Sequence, residues 1–184
     1  MTKKLIYLTG LPASGKSTWS KDKILTSQGA TQFKRVNKDD LRSMIDAGKW
    51  SRNNEKFIVS TERSIAENIL KEGYSVIIDN TGFADTHEQH YQELAAEYEA
   101  EFEKKFFEVT FEEAIERDAK RENSVGEEVI TKMYDKHLVP TIERDPDLPN
   151  ALIVDIDGTL AHMNGRSPYD PSKYHEDTVD EIIR

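Results

Sequence analysis

The 184-residue chain has no cysteine. That excludes disulfides and thiolate metal sites, and it fits a reducing, cytoplasmic setting. No apolar run approaches the ~20 residues a membrane span needs, so no membrane partner is expected. The opening Met1-Thr2-Lys3-Lys4 passes at once into a short strand-like run and lacks the longer apolar core of a secretion signal. Bulk positive charge is missing too, since 25 Lys/Arg stand against 35 Asp/Glu for a net charge of −10. A protein so charged should not coat a nucleic-acid duplex by long-range attraction.

The charge is unevenly spread. Residues 1–42 hold nine Lys/Arg against three Asp/Glu, residues 43–150 hold 13 against 25, and residues 151–184 hold three against seven. Basic charge therefore concentrates where the first motif lies, which suits a locally positive pocket for a charged chain end.

Strand-like and helix-like stretches alternate. Lys4–Thr9, Phe33–Val36, Ser75–Ile78 and Lys104–Val109 read as strands. Helices are expected at 17–25, 40–47 (stopped by Gly48), 54–71, 87–100, 111–122 and 127–138, with Ile58, Ile65 and Ile69 on one face of the third. Thr110 with Glu113, and Ser124 with Glu127, have capping-box spacing. Ile130, Met133, Tyr134, His137 and Leu138 form an apolar stripe that suits core packing. The alternation predicts an α/β fold, a parallel four-stranded sheet flanked by helices. Pro140, Pro146 and Pro149 punctuate a polar segment. The expected organisation is a domain over 1–140, a linker over 141–150, and a C-terminal piece over 151–184 that opens on the buried-strand pattern Ala151–Asp155.

Gly10-Leu11-Pro12-Ala13-Ser14-Gly15-Lys16-Ser17 is a phosphate-loop pattern between a strand and a helix. Its glycines let backbone N–H groups curl around phosphate oxygens, Lys16 can reach the β- and γ-phosphates, and Ser17 can ligate Mg²⁺ at a helix N-terminus. Gly10, Ser14, Gly15, Lys16, Ser17 and Thr18 are thus the nucleotide-binding candidates, with ATP and Mg²⁺ as implied ligands. After the second strand, Asn37-Lys38-Asp39-Asp40-Leu41-Arg42 offers Asp39 as a base for an attacking hydroxyl, with Arg42 on the same face and Asp40 as the expected cap. Alternatively, both aspartates merely cap. Arg117 and Arg121, spaced i, i+4, could close over a nucleotide, or lie on a solvated face paired with Glu113 and Glu116. Asp79-Asn80-Thr81 ends a strand, where open α/β sheets bind ligands. The five histidines have no metal-binding spacing. Asp155-Ile156-Asp157-Gly158-Thr159 places two carboxylates at a strand end, where both reach one Mg²⁺ and one phosphate. The same residues could instead begin the turn after a fifth strand.

Together, GLPASGKST, NKDDLR, ERDAKR and DIDGTLAHMNGRSPYD, in that order and spacing, resemble the bacteriophage-type polynucleotide 5′-kinase/3′-phosphatases from the first strand to about Asp170. The resemblance implies transfer of the ATP γ-phosphate to 5′-hydroxyl ends of DNA or RNA. It implies Lys16 and Ser17 at the phosphates and Mg²⁺, and Asp39 as general base. Arg42 would contact the acceptor nucleotide's 3′-phosphate, with Arg121 and Arg117 as lid arginines. It also casts Asp155 and Asp157 as nucleophile and general acid/base of a haloacid-dehalogenase-type phosphatase. That unit is expected to be inactive, because about 30 residues follow the motif. A P-loop kinase of a small alcohol would share every donor-side residue, and a non-enzymatic nucleotide-binding module would need no Asp39. Homo-oligomerisation is left open.

Overall fold

The computed structural model describes residues 2–27 and 32–140, together with the backbone of 161–162 and 178–179. The chain divides into two compact units, 1–140 and 141–184.

In the first unit, strands β1 (Lys4–Thr9), β2 (Phe33–Val36), β3 (Ser75–Asp79) and β4 (Glu101–Phe106) form one sheet in the order β2-β3-β1-β4. All three pairings are parallel, with Leu5 opposite Val76 and Lys4 opposite Glu101. Parallel strands need covered faces, and β1 is buried from Leu5 to Thr9. Its side chains alternate between two cores. Leu5 and Tyr7 join Val76 and Ile78 beneath helices α3 (Arg52–Lys71) and α4 (Asp85–Glu97). Ile6 and Leu8 join Ile77 and Phe33 on the other face, against Trp19 and Ile24 of helix α1 (Lys16–Thr26). Each fully buried aliphatic side chain contributes roughly 1.5–3 kcal/mol.

Helix α2 (Lys38–Asp46) precedes α3, and helices α5 (Phe111–Ala119) and α6 (Glu127–His137) complete the unit. Leu11, Ala114 and Ile130 bury a third core between the phosphate loop and this last pair, lined by Phe83, Met133, Tyr134 and Leu138. That packing fixes α5 beside the loop. Among the described residues no helix is long and apolar enough to cross a membrane.

Several sequence expectations shift. The fourth strand is Glu101–Phe106, not 104–109. It is an edge strand, so charged residues suit it: Lys4 pairs with Glu101 at 3.0 Å, while Val109 leaves to pack in the third core. The cap of α2 is Asn37, whose side chain accepts from the Asp40 amide, so Asp40 is the capped residue rather than the cap. Ser124 does not open α6; its hydroxyl turns to Asp118 and the helix starts after Gly126. The buried stripe of α3 is Ile58, Glu62, Ala66 and Leu70, with Ile65 and Ile69 at its border.

In the second unit, β5 (Ala161–His162) pairs antiparallel with β6 (Thr178–Val179). The expected strand Ala151–Asp155, with Asp155 and Asp157, lies outside the described residues.

Candidate active site

The phosphate loop leaves β1 at Gly10, where φ is +140° and an added Cβ would come within 2.8 Å of the Phe107 carbonyl. Ala13 and Gly15 also adopt positive φ, 61° and 94°. Holding a non-glycine residue there costs about 1–3 kcal/mol, and the bend sets Gly15 as the N-cap of α1 with no side chain over the free amides. Those amides and the helix dipole favour an anion. Ser17 and Thr18 are exposed on the first turn, whereas Ser14 is buried.

Lys16 is 7% exposed. Its ammonium donates to Gly10 O at 2.9 Å, Leu11 O at 2.6 Å and Ser14 Oγ at 3.0 Å. Burial lowers its pKa to about 8; Asp79 opposes that shift, Arg121 adds to it, and Asp39 opposes it. Charges on β3, on α2 and in the turn after α5 therefore act on one ammonium. A neutral amine holds phosphate poorly, so nucleotide affinity should fall as pH rises through about 8. Calorimetric titration of a nucleoside triphosphate from pH 6.5 to 9.5, in ~0.5-unit steps, measures this. Flat affinity across that range would show that Lys16 does not govern binding.

Asp79 ends β3 and is 1% exposed. One oxygen, Oδ2, accepts from Ser20 Oγ at 3.1 Å and Arg35 Nε at 2.6 Å. The other, Oδ1, is buried without a hydrogen-bond partner in the described structure. An orphaned carboxylate oxygen beside a phosphate loop, together with the Ser17 hydroxyl, fits a hard cation that also takes phosphate and water ligands. No cluster of three or more His, Asp or Glu side chains that could hold a metal alone occurs among the described residues.

The strand ends are tied together by side chains. Asn37 Nδ2 donates to the Asp79 carbonyl, and Asn80 Oδ1 accepts from the Lys38 amide at 3.3 Å. Asn80 Nδ2 donates to Glu62 at 2.7 Å, as does Tyr91 Oη at 3.0 Å. Burial pushes the Glu62 carboxyl up, against these two bonds. The Gly10 amide donates to Thr81 O at 3.0 Å. At Gly82, with φ +67°, a Cβ would meet Leu8 O at 2.3 Å, so only glycine lets this loop close on β1.

Asp39 stands in the first turn of α2 with its side chain 84% exposed. It pairs with Arg42, which in turn grips Glu55 of α3 with Nε and Nη2 at 2.9 and 3.0 Å. Lys38 reaches Glu55 at 3.4 Å. The structure thus brings Asp39 and Arg42 together and adds Glu55, which carries no sequence signal.

The arginine pair is arranged differently from the expected i, i+4 clamp. Helix α5 ends at Ala119, so Arg121 lies in the following turn. Arg117 pairs with Glu113 on a solvated face. Arg121 pairs with Asp118, whose side chain is 2% exposed. Asp118 Oδ2 also accepts from Ser124 Oγ at 2.7 Å and from the Val125 and Gly126 amides at 3.0 Å each. Burial pushes this carboxyl up, but the bonds from Ser124, Gly126 and Arg121 outweigh that and hold it low. One buried carboxylate therefore anchors Arg121 and opens α6. Arg121→Lys keeps the charge but loses the planar fork. It should lower phosphotransfer about 10²-fold in a steady-state assay, while Arg117→Lys changes it only slightly. Equal, mild effects would leave the solvated-face alternative standing for both.

The family model described as an AAA domain matches residues 5–140. The model described as the polynucleotide kinase PNKP phosphatase domain matches residues 149–184. An L-seryl-tRNA(Sec) kinase of Methanococcus maripaludis is 26% identical over 151 residues, covering 81% of this chain and 58% of the relative. A protein of Autographa californica nuclear polyhedrosis virus, named for a bifunctional polynucleotide kinase/RNA ligase, is 28% identical over 193 residues, covering 92% and 26%. Among solved structures, a chain of the Pnkp1/Rnl/Hen1 complex is 30% identical with a TM-score of 0.57, covering 99% of this chain and 63% of that one. The chain spans less than two thirds of the length of each of these relatives. The comparisons agree with the resemblance that the four motifs carry.

Proposed function

The chain belongs to the AAA domain family across residues 5–140, and from that premise we propose that it transfers the γ-phosphoryl group of ATP to the 5′-hydroxyl of a DNA or RNA end. One observation carries the reading: beside a phosphate loop with a buried Lys16, the strand end after β2 presents an exposed carboxylate, Asp39, paired with Arg42. A nucleotide-binding module has no use for an exposed carboxylate at the acceptor edge. The viral relative named for a polynucleotide kinase/RNA ligase supports the acceptor class.

In this proposal Lys16, Arg121 and the amides at the start of α1 hold the triphosphate and match the charge that spreads over the transferring group. Asp39 accepts the proton of the attacking 5′-hydroxyl. The oxygen–γ-phosphorus bond forms as the bond to the β-phosphate's bridging oxygen breaks. Arg42, steadied by Glu55, orients Asp39 and faces the acceptor's 3′-phosphate. Ser17 and Asp79 would hold Mg²⁺, which supplies positive charge against the phosphate oxygens when bound. Residues 141–150 serve as a linker, and 151–184 are the start of a phosphatase-type unit in which Asp155 and Asp157 would hold a metal.

The test is incubation with labelled ATP and a panel of acceptors: 5′-hydroxyl DNA and RNA oligonucleotides, a mononucleoside, a sugar alcohol and seryl-tRNA. Label on the oligonucleotide 5′ ends is expected. Label on a small alcohol or on seryl-tRNA with none on the 5′ ends would overturn the proposal.

A further inference from the structure

Among the described residues, the phosphate-transfer geometry leaves one buried carboxylate, Glu62, without a role. It lies on the inward stripe of α3 with Ile58, Ala66 and Leu70, at the i, i+4 spacing of a core-facing helix. That position asks for an apolar side chain, yet a carboxyl sits there 1% exposed. Burying it costs free energy unless hydrogen bonds replace the lost water. Two donors do so: Tyr91 Oη of α4 at 3.0 Å, and Asn80 Nδ2, just past β3, at 2.7 Å. Departures from an apolar pattern concentrate at functional sites.

The two bonds lead in different directions. Tyr91 is buried against Tyr7, with ring centroids 5.6 Å apart, so its bond ends in the core between α4 and the sheet. Asn80 leads to the acceptor edge. Its Oδ1 accepts at 3.3 Å from the amide of Lys38, the first residue of α2. Helix N-termini carry amides that no turn of the helix can satisfy. Asn37 takes the Asp40 amide and Asn80 takes the Lys38 amide, so two asparagines hold the turn that carries Asp39. A backbone N–H can only donate, so the Asn80 oxygen must face Lys38 and its nitrogen must face α3. The partner on α3 has to be an acceptor. An apolar side chain there would leave the Asn80 nitrogen unpaired and free the amide to turn over.

We propose that Glu62 is a positioning residue for phosphotransfer: through Asn80 it sets the N-terminus of α2, and so the place of Asp39, without touching the substrate. The inference rests on the kinase reading for the role of Asp39, whereas the link from Glu62 to Lys38 stands on geometry alone. Misplacing a reacting group by about 1 Å can lower a rate 10²-fold. The effect belongs to the chemical step rather than to nucleotide binding, because the phosphate loop is held by its own bonds from Lys16 to Gly10, Leu11 and Ser14.

Steady-state transfer to a 5′-hydroxyl oligonucleotide, and amide hydrogen exchange at Lys38 followed by NMR, test this on the full chain. Glu62→Met should lower kcat about tenfold or more, speed exchange at Lys38 and leave nucleotide affinity as it is. Glu62→Gln should recover most of the rate, because its carbonyl still accepts from Asn80. Tyr91→Phe should melt earlier with kcat unchanged, since it loosens only the arm of the network that ends in the core. In an Asn80→Ala background Glu62→Met should lower kcat no further, as expected of residues that act through one another. Wild-type kcat and Lys38 exchange in Glu62→Met would overturn the role of Glu62. So would a loss of rate in Tyr91→Phe as large as that in Glu62→Met, or independent effects of Glu62→Met and Asn80→Ala. If Glu62→Met does not fold, Asn80→Ala decides: faster exchange at Lys38 supports the link and unchanged exchange overturns it. Exchange that responds as expected, in a chain that labels no oligonucleotide, would sink the kinase reading and leave the link from Glu62 to Lys38 standing.

Discussion

Lys16→Ala is expected to lower phosphotransfer by about 10³-fold or more in a single-turnover assay with labelled ATP. The lysine is held at the mouth of a strained loop by Gly10 O, Leu11 O and Ser14 Oγ. Its pKa of about 8 still leaves it charged at pH 7. An ammonium kept there despite burial is useful only if something negative is to meet it. Its folded pKa lies below the ordinary value of 10.5, so the unfolded chain binds more protons between those values. This group's destabilising contribution is therefore full below pH 8 and fades as pH rises towards 10.5. Removing the side chain relieves that cost but strands the buried Gly10 carbonyl, at about 1–3 kcal/mol, while Leu11 O keeps the Ser14 amide at 3.3 Å. A small change in melting temperature with a large change in rate is the expected pattern. Turnover near the wild-type level would end the phosphate-loop kinase reading.

The central strands were legible because a parallel strand covered on both faces must be apolar at every position, as Leu5 to Leu8 and Val76 to Ile78 are. The edge strand misled for the same reason. Glu101, Glu103 and Lys104 belong to the ladder, while apolar Phe107 and Val109 pack into two different cores. Local rules also competed. Ser124 and Glu127 have the spacing of a capping box, but a buried Asp118 six residues earlier outbids the helix amide for the serine hydroxyl.

The same division runs through the site. The phosphate loop is a contiguous motif whose spacing encodes its geometry, so its residues could be named from sequence. Asp79 could be placed at a strand end, but not its partners Ser20 and Arg35, which are 59 and 44 residues away. Glu55, Glu62 and Asp118 look like the many other acidic residues of a strongly acidic chain. Glu55 and Glu62 take their roles from tertiary contacts with Arg42 and with Asn80 and Tyr91, and Asp118 from the turn that follows it, with Arg121. Asn37 was within reach, since an Asn directly before an acidic first turn is a standard cap signal.

Asp39→Asn should lower kcat by about 10²-fold or more while leaving nucleotide affinity near the wild-type value. The amide keeps the shape of the carboxylate and can still accept from Arg42, but it cannot take the proton of an attacking hydroxyl. The structural cost should be small. The side chain is 84% exposed, so what is lost is a favourable charge at the N-terminus of α2, about 0.3–1 kcal/mol. Arg42 sharpens the test. Its guanidinium is already held by Glu55, so the loss of the Asp39 charge should not release it. Glu55→Gln should act on the same pair from the other side, loosening Arg42 and raising the KM for the oligonucleotide more than it lowers kcat. The two variants therefore separate proton acceptance from acceptor positioning. An Asp39→Asn protein that turned over at the wild-type rate would remove the general base and with it the chemical case for an alcohol acceptor at this strand end. One that lost nucleotide affinity and melted early would show Asp39 to be a structural residue of α2.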